Sequence, residues 1–294
     1  MCGIAGYILK NESYHPELLR NMSDVISHRG PDDEGFFKTT ACNGNYQVGL
    51  AHRRLSIIDL HSGHQPIGNE DGSIQIVFNG EIYNYQALRE KLMAKGHIFK
   101  TDSDTETIVH AYEEYGYQCV EHLRGMFAFA IWDKNKEELF ISRDRFGKKP
   151  LFIYQTDNSI IFASEIKSIL QYTGYKRDVD LSSVWQYFSY RYAPGPATLF
   201  KNIAKLNPGN NGVWRQGVFK QWSYYTPPDF ESVTPQILDN PVVAFLDKLE
   251  ESVRIRMVSD VPFGAFLSGG IDSSAIVGLM SRHSSLPIKT FSVG

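Results

Sequence analysis

The chain has 294 residues, enough for one large domain or two ordinary ones, and its 42% hydrophobic and 21% charged residues are those of a soluble globular protein. A net charge of −3 offers no basic excess for nucleic acid or an anionic membrane. No apolar run approaches the ~18 residues needed to span a bilayer.

The N-terminus has neither a basic region nor a long apolar core, so no secretory signal is read and a cytoplasmic location is expected. The cysteines (Cys2, Cys42 and Cys119) are odd in number and far apart, which fits a reducing compartment and offers no CxxC metal pattern.

In chain order, residues 3–9 (GIAGYIL) read as a buried strand and 16–28 as a helix, with Pro16 in its first turn. Residues 74–78 (IQIVF) are an apolar run that ends in a turn signal, Asn79-Gly80. Two helices follow. One covers 83–96, where Leu88 and Leu92 share a face and Gly96 stops the run. The other covers 104–115, where Asp104 and Glu106 complement the dipole of the first turn. Short strands at 126–132, 138–143, 151–154 and 159–163 have the spacing of an antiparallel sheet, and a helix comes next at 180–190. From about Pro194 to Pro241 the chain is proline-rich; its later part, 206–240, reads as a connector with short strands.

Beyond that point the character changes. Residues 241–257 are an amphipathic helix striped by Phe245, Leu249 and Val253, followed by a strand at 261–267. Then come a glycine turn, a helix at 272–282 with Ile276, Leu279 and Met280 on one face, and a strand at 287–293. This βαβ order implies a parallel sheet. Two parallel strands alone do not make one, since such sheets are covered on both faces, so the second domain is expected to be incomplete here.

Two places carry chemistry. Removal of Met1 would leave Cys2 with a thiol and a free α-amine on one residue. The amine, with an ordinary pKa of about 7.7–8.0 against about 8.5 for the thiol, can take the thiol proton near neutral pH. A lone cysteine is more often a small buried residue; the accompanying motifs set Cys2 apart. The second place is Ser268-Gly269-Gly270-Ile271-Asp272-Ser273-Ser274, between a strand and a helix N-terminus, where backbone N–H groups and the helix dipole form an anion site. Gly270 stands where a Walker A loop has its lysine, so transfer of a γ-phosphate is disfavoured and a grip on pyrophosphate is expected. Asp272 would carry Mg²⁺ bridging the phosphates.

The N-terminal MCGIAG, the run NGEIYN at 79–84 and SGGIDSS at 268–274 together resemble glutamine-hydrolysing asparagine synthetases. So do HRGPD (28–32), AHRRLSIIDL (51–60), TDSDTE (101–106), GMFAFAIWD (125–133), RDRFGKKPLF (143–152) and FASEIKSI (162–169), nearly the whole length. The resemblance implies an α+β N-terminal-nucleophile glutaminase, an αββα sandwich of antiparallel sheets, at 2–205. It also implies a connector at 206–240 and, at 241–294, the start of an α/β ATP-pyrophosphatase domain of the adenine nucleotide α-hydrolase-like kind.

In that family Cys2 would attack the glutamine side-chain amide to form a thioester, with the Asn79 side chain and the Gly80 N–H as oxyanion hole. Arg54 would hold the glutamine carboxylate, and Asp104 with the backbone near Glu81 the ammonium. Leu267, Ser268, Gly269, Gly270, Asp272, Ser273, Ser274 and Val293 would meet ATP, with Mg²⁺ on Asp272. ATP would adenylate aspartate, and the released ammonia would displace AMP. Family members often dimerise, so a homodimer is implied; no nucleic acid or membrane partner is.

His28 and His52 read as structural, and Cys42 and Cys119 as packed or incidental thiols. Where the family often reads close to LPPGHYL, this chain reads LNPGNNG at 206–212. Two other readings stay open: a related amidotransferase that aminates a different carboxylate, and a non-catalytic glutamine-binding chain.

Overall fold

The computed structural model describes residues 1–11, 14–229, 231 and 237–293. The chain divides into two compact units, residues 1–226 and 227–294.

The strands of the first unit are β1 (Gly3–Lys10), β2 (Asp33–Ala41), β3 (Tyr46–Arg54), β4 (Ile67–Gly68), β5 (Ile74–Ile82), β6 (Gly125–Asp133), β7 (Glu138–Arg143), β8 (Phe152–Gln155), β9 (Ile160–Ala163), β10 (Ile203–Lys205), β11 (Asn210–Arg215) and β12 (Val218–Ser223). Its helices are α1 (Leu18–Asp24), α2 (Tyr85–Met93), α3 (Asp104–Tyr115), α4 (Cys119–His122), α5 (Ile166–Ile169) and α6 (Leu181–Tyr190). One antiparallel sheet has the order β10-β8-β9-β1-β3-β2, and the other β12-β11-β7-β6-β5-β4.

The period-2 alternation of a strand explains the layering. On β1, Ile4 and Ile8 enter a core shared by both sheets, with Val48, Leu50, Val77, Ala130, Trp132, Ile141 and Trp214. Ala5, Tyr7 and Leu9 point the other way, toward Leu18, Leu19 and Met22 of α1 and Ile169 of α5. With both faces covered, β1 reads as an unbroken apolar run. The outer face of the second sheet meets α3, where the Tyr112 ring stacks on Phe140 with centroids 5.7 Å apart. This is the αββα sandwich of antiparallel sheets that the resemblance implied.

Several sequence readings need correction. Asn79-Gly80 is not a turn: β5 continues through both residues to Ile82, paired with β6, so that Asn79 lies opposite Ala128 and Gly80 opposite Phe127. Gly80 is required by close approach, since a Cβ there would lie 2.2 Å from the Met126 carbonyl oxygen. The connector expected over 206–240 also starts too early. Residues 210–223 form the β11–β12 hairpin, which extends the second sheet through β11–β7 pairing and buries Trp214. Part of the remaining connector, with Pro235, lies outside the described residues.

The first helix begins at Leu18, after Pro16. Strands β2 and β3 passed unread because their exposed polar positions and internal glycines break the apolar run. The departure at 206–212 is accommodated: Leu206 is fully buried, and the Gly209 N–H donates to the Asp144 carbonyl at 2.9 Å.

In the second unit, Asn240 caps α7 (Pro241–Arg254) by accepting from the Val243 N–H, with Pro241 in the first turn. Strands β13 (Gly264–Phe266) and β14 (Lys289–Phe291) pair in parallel on either side of α8 (Ile271–Arg282). Both are shorter than the sequence suggested. Val253, Leu279 and Met280 form a small core with Leu249 and Ile288, whereas Phe245 is exposed.

Candidate functional site

Cys2, Arg54, Asn79, Gly80, Glu81 and Asp104 line one pocket of about 500 Å³, its open mouth included. They come from the residue before β1, the end of β3, the second half of β5 and the first residue of α3. Chain positions up to 102 residues apart are thus gathered by sheet pairing.

Cys2 is fastened from three sides. Its sulfur accepts from the Leu55 N–H at 3.4 Å. Its carbonyl accepts from Arg29 Nε at 2.9 Å, and Arg29 is itself paired with Glu165 at 3.0 Å. The neighbouring Ile4 N–H donates to Ser164 Oγ at 3.0 Å, and the Ser164 N–H returns a bond to the Ile4 carbonyl at 2.8 Å. Arg29, Ser164 and Glu165 sit within sequence motifs but carried no assigned role; Arg29 holds the Cys2 backbone directly, Glu165 holds Arg29, and Ser164 fixes Ile4 two residues on. Burial pushes the Cys2 thiol up, against the smaller opposing pull of the Leu55 N–H, so a base is needed to generate thiolate. The Met1 amine is held below its usual range, chiefly by burial.

Asn79 is fully buried on β5, and neither its amide nitrogen nor its amide oxygen has a protein partner. A buried amide without partners is costly. Fixed inside a strand and facing the pocket, it is a polar group waiting for a ligand. Arg54 is buried at the end of β3, with Nη2 donating to the carbonyl oxygens of Ile58, at 3.2 Å, and Asp59. Gly63 makes room for that guanidinium: a Cβ on Gly63 would lie 2.5 Å from Arg54 Nη2.

Ser103 is the N-cap of α3, so Asp104 is not a cap. Its carboxylate instead accepts from the Ile82 N–H at 2.9 Å. Burial, with a further contribution from the Glu81 charge, raises Asp104 to about 7. Burial also raises Glu81, against the pull of the Lys149 cation.

Lys149 and Gln65 also line the pocket, with no role read for either from the sequence. Burial lowers the Lys149 ammonium. The RDRFGKK segment explains its placement. Arg143 binds the carbonyls of Lys149 and Gly147, each at 2.7 Å, and that of Leu206 at 2.6 Å. The Asp144 carboxylate accepts from the N–H groups of Lys148 and Lys149, both at 3.0 Å. Gln65 accepts from the Phe78 N–H at 2.7 Å and donates to Thr105 Oγ1 at 3.1 Å, which ties β5 to α3.

His52 is buried with Nε2 3.0 Å from the Phe78 carbonyl and is held down to about 3, so it stays neutral behind the pocket. His28, on the surface, meets Glu165 at 2.9 Å, which agrees with its structural reading. Cys119 is buried and Cys42 half-buried, and neither lines the pocket.

The residues assigned to ATP lie in the second unit. Leu267, at the end of β13, bonds Phe291 through its N–H at 2.8 Å and accepts from Ser292 Oγ through its carbonyl at 2.6 Å. Ser268, Gly269 and Gly270 turn into α8, with Gly270 as N-cap and Gly269 at φ +80. Ser268 and Ser273 bond each other through their hydroxyls at 3.0 Å. Asp272 and, two positions on, Ser274 are exposed at the start of α8, and Val293 is exposed after β14.

A family described as glutamine amidotransferase domain matches residues 1–225. The chain belongs to the glutamine amidotransferase family. A second family, asparagine synthase, matches residues 244–294. Over its whole length this amidotransferase is 42% identical to asparagine synthetase [glutamine-hydrolyzing] 1 of Bacillus subtilis and covers 46% of that protein. It is 40% identical to putative asparagine synthetase [glutamine-hydrolyzing] 2 of Methanocaldococcus jannaschii and covers 60% of it. The chain therefore spans roughly half of each relative. Among solved structures, the allosteric regulatory enzyme of purine biosynthesis superposes with a TM-score of 0.56 at 19% identity, over 98% of this chain and 65% of that one, a likeness of fold. No helix among the described residues is long and apolar enough to cross a membrane.

Proposed function

We propose that the first unit hydrolyses glutamine at Cys2. The whole protein would then be a glutamine-dependent asparagine synthetase that uses ATP to activate aspartate. The observation that carries the first step is the convergence of Cys2, Arg54 and Asp104 on one pocket around the unpartnered Asn79 amide.

With Met1 removed, the Cys2 amine takes the thiol proton. The sulfur attacks the side-chain carbonyl carbon of glutamine, and the negative oxygen meets the Asn79 side-chain N–H and the Gly80 backbone N–H. The tetrahedral intermediate collapses by breaking the C–N bond. The proton held by the amine passes to the departing nitrogen, ammonia leaves, and a thioester remains. The amine then takes a proton from water, whose oxygen attacks the thioester; the thiolate departs, is reprotonated, and glutamate is released. Arg54 suits bidentate contact with the α-carboxylate, and Asp104 the α-ammonium.

In the second unit, the backbone N–H groups at the start of α8, with Ser268, Ser273 and Ser274, fit the phosphates of ATP, and Leu267 and Val293 flank the nucleotide. Nothing lies within 4 Å of a Cβ built on Gly269, so a phosphate has room against that backbone. The exposed Asp272 carboxylate would hold Mg²⁺, which in such sites keeps several waters and takes only one or two carboxylates, and the ion would neutralise phosphate charge. ATP would supply the adenylate leaving group. A cytoplasmic location and a homodimer fit this reading. The test is glutamate and ammonia release by the untagged chain, followed by a screen of carboxylates for AMP release by the full-length protein. Aspartate as the sole productive acceptor supports asparagine synthesis; a different acceptor would establish another amidotransferase. Glutamine binding without turnover after Met1 removal would favour a non-catalytic chain.

Two outcomes are expected at the substrate end of the pocket. Gly63→Ala pushes the Arg54 guanidinium away, so KM for glutamine rises about tenfold, the loss of part of a charge-assisted contact, while kcat holds. Steady-state kinetics checks this, and a fall in kcat with KM unchanged contradicts it. The second concerns pH. With Asp104 raised to about 7, its carboxyl is increasingly neutral below that pH and a cationic ligand loses its counter-charge. KM should therefore rise as pH falls from 8 to 6. Asp104→Asn should raise KM at pH 8 and flatten its pH dependence. A steep KM profile that survives in Asp104→Asn would assign the titration elsewhere.

A further inference from the structure

A cluster away from the pocket joins three chain segments. Glu70 lies in the turn between β4 and β5, His97 in the loop after α2, and His110 in the middle of α3. One donor atom from each, a carboxylate oxygen and two ring nitrogens, lie within 4.8 Å of one another. The two imidazole rings are 5.0 Å apart between centroids.

His110 is fully buried, and its Nε2 has no hydrogen-bond partner. The nearest carboxylate, Glu106, is 3.6 Å from it. Glu106 is already engaged: Oε1 accepts from the Lys100 N–H at 2.8 Å, and Oε2 from the N–H and hydroxyl of Thr101 at 2.7 and 2.6 Å. On the opposite edge, His110 Nδ1 meets Glu113 Oε2 at 2.7 Å. Between Glu106 and Glu113 the ring is cationic, raised to about 9 against the effect of burial; a metal would take the place of the Nε2 proton, with the bond from Nδ1 to Glu113 orienting the ring as in metal-bound imidazoles. Glu113 also accepts from Asn69 Nδ2 at 2.8 Å, which fixes it in that supporting role.

We propose that His97, His110 and Glu70 form a zinc site, with Glu113 as the orienting carboxylate. Two imidazoles and one carboxylate suit Zn²⁺ and not the hard cations Mg²⁺ or Ca²⁺, which take all-oxygen sets. Donors around Zn²⁺ at about 2.1 Å stand roughly 3.4 Å apart. Closing the observed spacing to that value would take side-chain rotation of Glu70, which is exposed, and of His97, which is half-buried and would give up its long pairs to Glu113 at 3.6 Å and Glu114 at 3.5 Å. A fourth position remains for water. The bound ion would clasp the 94–103 loop, which leads directly into Asp104, to the β4–β5 turn.

The test is calorimetric titration of Zn²⁺ into the untagged full chain carrying Cys2→Ala, which removes the pocket thiol as a competing ligand. Co²⁺ absorption reports the coordination. Expected are one saturable Zn²⁺ per chain and visible Co²⁺ bands of four- or five-coordinate geometry. Glu70→Gln and His97→Gln, both toward the surface, should each weaken binding at least tenfold without loss of fold, and His110→Gln should abolish it. Absence of saturable binding, or binding that neither Glu70→Gln nor His97→Gln weakens, overturns the site and leaves the cluster an ion-paired clasp. The outcome is independent of glutamine turnover.

Discussion

Cys2→Ala should abolish release of glutamate and ammonia from glutamine, by at least about 10⁴-fold, because no other group in the pocket replaces the nucleophile. The fold should survive. Cys2 precedes β1, its sulfur has weak contacts with Leu55 only, and the backbone bonds from Arg29 do not involve the side chain. Cys2→Ser should be nearly as inactive, since a hydroxyl is far harder to deprotonate than a thiol buried at the same place. The assay pairs turnover with intact mass. Turnover in Cys2→Ala would place the chemistry elsewhere, and turnover by the parent chain with Met1 retained would remove the α-amine from the mechanism. Loss of activity together with a collapsed thermal transition would show that Cys2 serves folding, contrary to its position.

Asn79→Ala should reduce kcat by roughly 10²–10³, about 2.7–4 kcal/mol of transition-state stabilisation, with KM nearly unchanged. The distinguishing readout is stability. A buried amide with neither polar atom bonded by protein costs free energy in the empty protein, so its removal should leave the thermal midpoint unchanged or raise it. Activity and stability then move in opposite directions, which a purely structural asparagine cannot do. Asn79→Asp keeps the shape but sets a carboxylate against the developing oxyanion, and should be at least as damaging as alanine. A loss that appears in KM alone would assign Asn79 to ground-state binding.

Periodicity and short-range chemistry made much of the first unit readable. The apolar run of β1, the helix Asp104–Tyr115 and the strand Glu138–Arg143 are local patterns that the fold uses as written. The N-terminal cysteine is legible for the same reason: its chemistry resides in one residue. Other signals pointed the wrong way. Asn79-Gly80 has the composition of a hairpin turn, yet it lies mid-strand because β6 presses against it so closely that only glycine fits at position 80. Short strands were expected in the stretch that holds the β11–β12 hairpin, but not their place in the second sheet, because the partner, β7, is about 70 residues distant and pairing at that range leaves no trace in local pattern.

The sequence alone pointed to Cys2 as the proposed nucleophile and, through its motifs, to the candidate ligands Arg54, Asn79, Gly80, Glu81 and Asp104, since each is a residue type suited to one chemical task. Tertiary structure alone decided that these side chains face a common pocket. It decided too that Lys149 and Gln65 join them, that Arg29 and Glu165 fasten Cys2, and that Gly63 leaves room for Arg54. It also brought Glu70, His97 and His110 together. The physical reason is the same in each case: an antiparallel sheet places residues by register across strands, a relation between distant segments that no stretch of sequence expresses by itself.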